Sequence, residues 1–388
     1  MDHRRARVLI YGGSFDPPHT GHMRMLKAAL RQIKPAQAYV VPAFHSPLKH
    51  PARADGAERE KMAALALEKG LTRRERRLVE LSRFELARGC MTYTYETLRY
   101  FARQHPEAQL YFLLGSDSTL NFRKWKHTSE IRDLSRFLIG RRPRAPLPHA
   151  GLGLPPYEIL PGVFPDISST EVRARLLAGE QVGDWLPNAV RSRITRRGLY
   201  GLDIHKRLKS ALPPPLFRHS LAVARMALEL ARRHGLDLEN AVLAGLLHDC
   251  GQKMPAADMA RYVRDNRLSV PLASEIARHQ PSLFHAHIGE DVARREYGIE
   301  TPAILCAIRK HTLGDLLMSP LDRLVFTADA CSLDRRFPEA AAIRRLALQD
   351  LDAGFKETVR TKLTYVLRLD GWLHSSGVGV WNKLVGEG

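Results

Sequence analysis

The 388 residues predict two domains in series, an α/β domain on a doubly wound parallel sheet (residues 1–201) and an all-α domain (residues 202–388). Three observations carry the prediction. Apolar runs at 8–11, 38–41, 110–114 and 137–140 read as short buried strands interleaved with helical patterns. A glycine turn, Gly12-Gly13, joins the first of these runs directly to the amphipathic segment Met23–Leu30. Finally, Pro213-Pro214-Pro215 punctuates the chain, and the apolar pattern beyond it is helical almost to the end, with no convincing strand. The length is too great for one ordinary domain and sufficient for two cores.

Composition narrows the class. Residues 1–7 are charged and only 8–11 are apolar, unlike a secretory signal, and no run approaches a membrane span. Cys90, Cys250, Cys306 and Cys331 have no CxxC spacing, which fits reduced thiols in a soluble cytoplasmic protein. There are 60 Lys+Arg against 41 Asp+Glu, a formal charge of +19 that concentrates phosphate-bearing ligands. The arginine clusters at 73–77, 141–144 and 191–197 are short and lack aromatic interleaving, so they read as solvated faces rather than a nucleic-acid platform. A homo-oligomer stays open.

The first candidate site lies in the string GGSFDPPHTGH, Gly12 to His22. A glycine turn between strand and helix presents backbone N–H groups and a helix N-terminus, the arrangement that receives phosphates. His19 and His22 share a face if the helix begins near Pro18, and His22 heads the inward stripe Met25, Leu26, Ala29. Fixed donors there suit nucleotidyl transfer, in which charge builds on the attacked phosphate and on departing pyrophosphate. The full string resembles the HxGH nucleotidyltransferases, and GGSFDPPH resembles in particular the bacterial nicotinate-nucleotide adenylyltransferases.

That resemblance implies roles for further residues. Gly12, Gly13, Ser14 and Phe15 would bind ATP, and His19 and His22 would act in catalysis. In the loop Pro42–Lys49, the family's Pro-His-Lys run is matched at Pro47 and Lys49; Leu48 replaces the histidine, with His45 and His50 beside it. Met91-Thr92-Tyr93-Thr94-Tyr95-Glu96-Thr97-Leu98 resembles the family's nicotinate-holding segment, so Thr92, Tyr93 and Thr94 are candidates, while Thr92 or Thr94 also reads as a helix N-cap. Gly115-Ser116-Asp117 ends a buried strand, where Asp117 would contact a ribose or order the site, and Trp125 would meet the pyridine. Ser168 and Glu171 form a capping box that opens a helix with free N–H groups. Ile-Ser-Ser-Thr-x-x-Arg resembles the family's second phosphate element, giving Ser168, Ser169, Thr170 and Arg173. The match continues through Leu186-Pro187 to Tyr200. It implies transfer of AMP from ATP, with Mg²⁺, to nicotinate mononucleotide; phosphopantetheine and the amide mononucleotide are the rival acceptors.

In the second half, polar residues interrupt apolar helix faces. His219 begins the stripe Val223, Met226, Leu230, and His285 leads Ile288, Gly289, Val292. Asp249 ends Val242, Gly245, Leu246; His311 ends Ile304, Ala307, Ile308; Asp329 follows Val325 and Phe326. Buried carboxylates among buried imidazoles are best explained by metal, and a mixed N/O set suits iron or manganese better than magnesium. His287, whose helical neighbours are Glu290, Asp291 and Arg294, reads as solvent-facing. His219, His248-Asp249 and Asp329 follow the H…HD…D order of the HD phosphohydrolase superfamily. With His285 and His311 they resemble the HD-domain symmetrical diadenosine-tetraphosphate hydrolases, which implies a two-metal iron-type site releasing ADP from dinucleoside polyphosphates. Gln252 stands where that family usually has lysine, and Ala330-Cys331-Ser332-Leu333 replaces Tyr-Ile-Glu-Pro. A nucleoside monophosphate phosphatase and a nucleotide- or RNA-binding regulatory module are the alternatives.

Overall fold

A computed structural model describes residues 5–47, 51–143 and 145–386. By contacts the chain divides into two compact units, Met1–Val172 with Val182–Tyr200, and Arg173–Gln181 with Gly201–Gly388.

The first unit is built on six strands: β1 (Arg7–Gly13), β2 (Gln37–Pro42), β3 (Val79–Leu81), β4 (Gln109–Gly115), β5 (Ser135–Gly140) and β6 (Tyr157–Ile159). All five pairings are parallel, in the order β3-β2-β1-β4-β5-β6. The central strands are apolar runs because both faces are covered; Leu9, Ile10, Leu113 and Leu138 are fully buried. Strand order reverses between β1 and β4, so a crevice opens at their carboxyl ends. Sequence reading missed β3 and β6. Each has three residues at the sheet side, partly exposed, too short to carry a period.

The second unit contains no strand among the described residues. The proline triplet is less a break than a start: helix Pro214–His234 carries proline in its first turn. Helices Pro302–Lys310, Pro320–Cys331 and Pro338–Gln349 begin the same way. The missing N–H and fixed φ of proline cost nothing where a helix has no bond to make. Val223, Leu230, Val242, Leu246, Ile304, Ile308, Leu324 and Val325 fill one core. The polar residues singled out above sit at its edge, on the same inward stripes.

Candidate functional site

In the first unit, β1 delivers the glycines. Gly12 and Gly13 pair with Val41 and Pro42, and the chain then turns over the strand end. A Cβ on Gly13 would come within 3.1 Å of the Phe15 ring, so any larger residue there would have to displace that ring by a few tenths of an ångström. Phe15 holds φ 49° and packs edge-on against Tyr11 and His22, with centroids at 5.4 and 5.1 Å. Asp16 closes the turn: its carboxylate accepts from the N–H of Arg53 and Ala54 and from the Tyr200 hydroxyl. Arg59, 2% exposed, donates to the carbonyls of Ser14, Ala43 and Phe44 and so ties the glycine turn to the loop after β2.

His19 caps helix Thr20–Ile33, with its own N–H donated to Nδ1 of His22 at 3.1 Å. The two rings lie 3.7 Å apart, tilted by 30°. Helix Ser169–Leu177 begins nearby in space: the Ser169 hydroxyl donates to the Pro17 carbonyl at 2.9 Å, and Ser168 Oγ accepts from the Glu171 N–H. Gly12 to Phe15, His19, His22, Ser168 and Ser169 are therefore brought together, with Thr170 exposed on the same first turn. Arg173, later on the same helix, groups with the second unit, where its guanidinium grips Glu239 through two bonds of 3.0 and 2.7 Å. Lys49 lies outside the described residues.

Asp117 follows β4 and pairs with Arg142, beyond β5, at 3.4 Å; Arg142 also donates its N–H to Ser116. Arg142, which the sequence marks only as part of a solvated arginine cluster, is thus turned onto the Asp117 carboxylate. Trp125 is half-buried against Phe122, Phe112 and Phe137, at 5.4 to 6.4 Å. The next residue, Lys126, sits 4.2 Å over the Tyr93 ring and joins the Trp125 segment to the Thr92–Thr94 segment. The N-cap of helix Thr94–Gln104 is Tyr93, not either threonine: Glu96 accepts the Tyr93 N–H, and Thr92 instead donates to the Cys90 carbonyl.

In the second unit, six side chains from five segments converge. His219 lies on helix Pro214–His234, His248-Asp249 follow helix Leu238–Leu247, His285 opens helix His285–Tyr297, His311 ends helix Pro302–Lys310 and Asp329 lies on helix Pro320–Cys331. None is more than 9% exposed. Two triplets, His219-His248-Asp329 and His248-Asp249-His311, each bring their ligating atoms within 4.8 Å of one another. His285 Nε2 is 3.4 Å from Asp249 and 3.1 Å from His311 Nε2. Gly251 permits this convergence, since a Cβ there would stand 2.1 Å from the His285 carbonyl.

Every imidazole is oriented by its other nitrogen. Nδ1 of His248, His285 and His311 donates to the carbonyl three residues earlier, Gly245, Ser282 and Ile308, at 2.6 to 2.7 Å. Nδ1 of His219 lies 2.7 Å from the Asp334 carboxylate. All four Nε2 lone pairs are thereby aimed at the centre, the arrangement of metal-ligating histidines. His248 Nε2 is fully buried and has no hydrogen-bond partner. Burial pushes His311 down to about 4, keeping it neutral. Burial would raise Asp249 and Asp329, but His248 beside the first, and Lys362, His219 and Arg335 beside the second, hold both well below the usual carboxylate range. Ionised carboxylates, a neutral imidazole and an orphaned nitrogen fit a divalent metal.

Residues 10–175 match the family Cytidylyltransferase-like, and residues 216–334 match the HD domain family. The two family matches thus fall on successive parts of the chain, the first on the strand-bearing half and the second on the helical half. A Mycoplasma pneumoniae relative named "Probable nicotinate-nucleotide adenylyltransferase/Ap4A hydrolase" is 27% identical over 91% of this chain and 98% of its own. A Mycoplasma genitalium relative of the same name is 26% identical over 86% and 89%. A solved structure from Clostridium acetobutylicum, described as a predicted HD superfamily hydrolase involved in NAD metabolism, is 28% identical. It covers 48% of this chain and 97% of that one, at a TM-score of 0.45.

The convergence of the six residues has neighbours that the sequence does not mark. Thr312 Oγ1 is 3.0 Å from Nε2 of both His285 and His311. Arg335 contacts Asp329 and lies 3.1 Å from His219 Nε2, and Lys362 Nζ is 3.3 Å from the other Asp329 oxygen. Gln252, in the position of the usual lysine, donates to Asp249 at 2.6 Å. A cavity of about 870 Å³ opens beside these groups, lined among others by Thr312, Asp329, Arg335, Phe337, Lys362 and Trp372. The sequence expects His287 to face solvent, but it is half-buried, with Arg309 and His374 near it, and burial pushes its pKa down to about 4. Among the described residues no helix is long and apolar enough to cross a membrane.

Proposed function

We propose that residues 1–201 transfer the adenylyl group of ATP to nicotinate mononucleotide, releasing pyrophosphate, and that residues 202–388 hydrolyse dinucleoside polyphosphates to ADP. The first assignment rests chiefly on the His19–His22 pair, stacked at the N-terminus of a helix beside the glycine turn. The mononucleotide phosphate attacks the α-phosphorus in line with departing pyrophosphate. His19 and His22 stabilise charge on the oxygens in flight, while the turn N–H groups, Ser168, Ser169, Thr170 and Lys49 hold the phosphates. Arg173, four residues after Ser169 in the same element, is the further cation for them. Thr92, Tyr93 and Thr94 offer donors to the nicotinate carboxylate, Trp125 a ring to its pyridine, and Asp117 an acceptor to a ribose hydroxyl. Mg²⁺ brought with ATP supplies countercharge along the triphosphate.

In the HD domain the six-residue convergence supports a pair of metal ions, with iron or manganese favoured by the mixed histidine and carboxylate set. Bound there, metal would polarise the phosphate and acidify the attacking water. The residues themselves orient and neutralise: Asp334 and the three backbone carbonyls fix the imidazoles, and no protein nucleophile is required. The four free cysteines accord with a cytoplasmic enzyme.

The acceptor is tested by supplying ATP with nicotinate mononucleotide or its amide and measuring pyrophosphate. Faster release with the acid supports the reading, and equal or faster release with the amide overturns it. For the HD domain, phosphate release from AMP outpacing ADP release from diadenosine tetraphosphate would favour a monophosphate phosphatase.

A further inference from the structure

Four cationic side chains line the HD cavity: Arg335, Arg360, Lys362 and Arg368. Two have carboxylate partners remote from the metal ligands. Arg360 pairs with Glu357 at 2.7 Å and Arg368 with Glu339 at 3.6 Å. The other two share Asp329, itself in a metal-ligand triplet. Arg335 reaches it from the turn after helix Pro320–Cys331, and also donates through Nε to its carbonyl at 2.9 Å. Lys362 reaches it from helix Leu351–Arg368, donates to the His311 carbonyl at 3.0 Å and lies 4.0 Å over the Phe326 ring.

A carboxylate can balance two side-chain cations or a divalent ion, but not both at full strength. A metal at Asp329 takes that charge and repels the guanidinium and ammonium already beside it. Both long side chains line the cavity, and the anion able to restore the balance is the substrate's chain of phosphates. A single phosphate, engaged by the metals, leaves the two cations unpaired; the oxygens of a second phosphate offer a partner to both.

Building on the hydrolase reading above, we infer that Arg335 and Lys362 form a polyphosphate clamp. Beside Asp329 and lining the cavity, they contact the phosphate chain and select polyphosphates over monophosphate esters. They are substrate-positioning residues; the metal set remains the six ligands.

ADP and AMP share base and ribose, so the ratio of their affinities isolates the added phosphate. Dissociation constants for both would be measured calorimetrically on the full-length, Mn²⁺-loaded protein, as wild type, Lys362→Met, Arg335→Gln and Lys362→Arg. Binding by residues 1–201 is common to all four. Mn²⁺ affinity would be read in parallel from the resonance of free Mn²⁺. The clamp predicts ADP binding weakened about tenfold in Lys362→Met and Arg335→Gln, the loss of one charge-assisted hydrogen bond, with AMP little changed. Lys362→Arg retains the ratio, and Mn²⁺ binds the neutral variants at least as tightly as wild type, because Asp329 has lost a competitor. An unchanged ratio overturns the clamp. So does Mn²⁺ affinity falling together with ADP affinity, which would mark a packing role, or a wild type indifferent to the second phosphate. If the ratio shifts as expected while diadenosine tetraphosphate yields no ADP, the clamp stands and the substrate reading fails.

Discussion

Replacing Glu85 by glutamine should stabilise the first unit at pH 8 and leave it unchanged near pH 4. Glu85 is 7% exposed on helix Phe84–Arg88 and accepts a hydrogen bond from Thr97 Oγ1 at 2.7 Å. Burial raises its pKa from 4.5 to about 7, despite that bond and the nearby Arg88. Below pH 4.5 the group is protonated in folded and unfolded chains alike and costs nothing. As pH rises from 4.5 towards 7 only the unfolded chain releases the proton, so stability falls, and above 7 the loss is complete. At about 1.4 kcal/mol for each pH unit, the span from 4.5 to about 7 amounts to roughly 3 kcal/mol. Glutamine keeps the acceptor for Thr97 and removes the titration. Calorimetric unfolding of full-length protein, following the transition that ATP raises, should show the variant ahead by that amount at pH 8 and level at pH 4. Equal stabilities at pH 8 would refute the burial argument. Thr97 lies in the first turns of the helix that follows Thr92–Thr94, so ionisation of Glu85 places a negative charge near the proposed carboxylate site. The KM for nicotinate mononucleotide should therefore rise above pH 7 in wild type and stay flat in Glu85→Gln.

Other perturbations test separate parts of the account. His22→Ala should lower kcat for adenylyl transfer by about 10²–10³, the size of a lost donor to transition-state charge, with a much smaller change in KM; equal loss in both contradicts its role. Arg173→Ala removes both bonds to Glu239, only 17% exposed, and should destabilise the second unit by about 2–3 kcal/mol, which a double-mutant cycle with Glu239→Gln would assign to the pair. Added Mn²⁺ should raise the unfolding temperature of the HD domain by mass action, and Asp249→Ala should remove that shift; a rise that survives the substitution would place the metal elsewhere.

Much of both sites was legible because periodicity alone turns a residue inward. His219 with Val223, Met226 and Leu230, or His311 with Ile304 and Ile308, can only face the core once the segment is helical. The strand–turn–helix at Gly12 to His22 was equally local. What escaped depends on tertiary adjacency. Lys362 sits on a half-exposed helix with no stripe to mark it, and only folding brings it to Asp329 from 33 residues away. Asp334 and Arg335 act through the turn after helix Pro320–Cys331, and Arg142 through the neighbouring strand end. His287 misled because Arg309 and His374, which lie near it, are brought there only by folding. Arg173, early in a phosphate-binding pattern, is engaged by Glu239, a partner no spacing rule could name.

The most direct test is the product pattern from diadenosine tetraphosphate, incubated with full-length protein and ferrous, manganous or magnesium ion, with Asp249→Ala alongside. The account predicts ADP as the sole product, fastest with iron or manganese and absent in the variant. ATP with AMP as products, or turnover that survives Asp249→Ala, would contradict it.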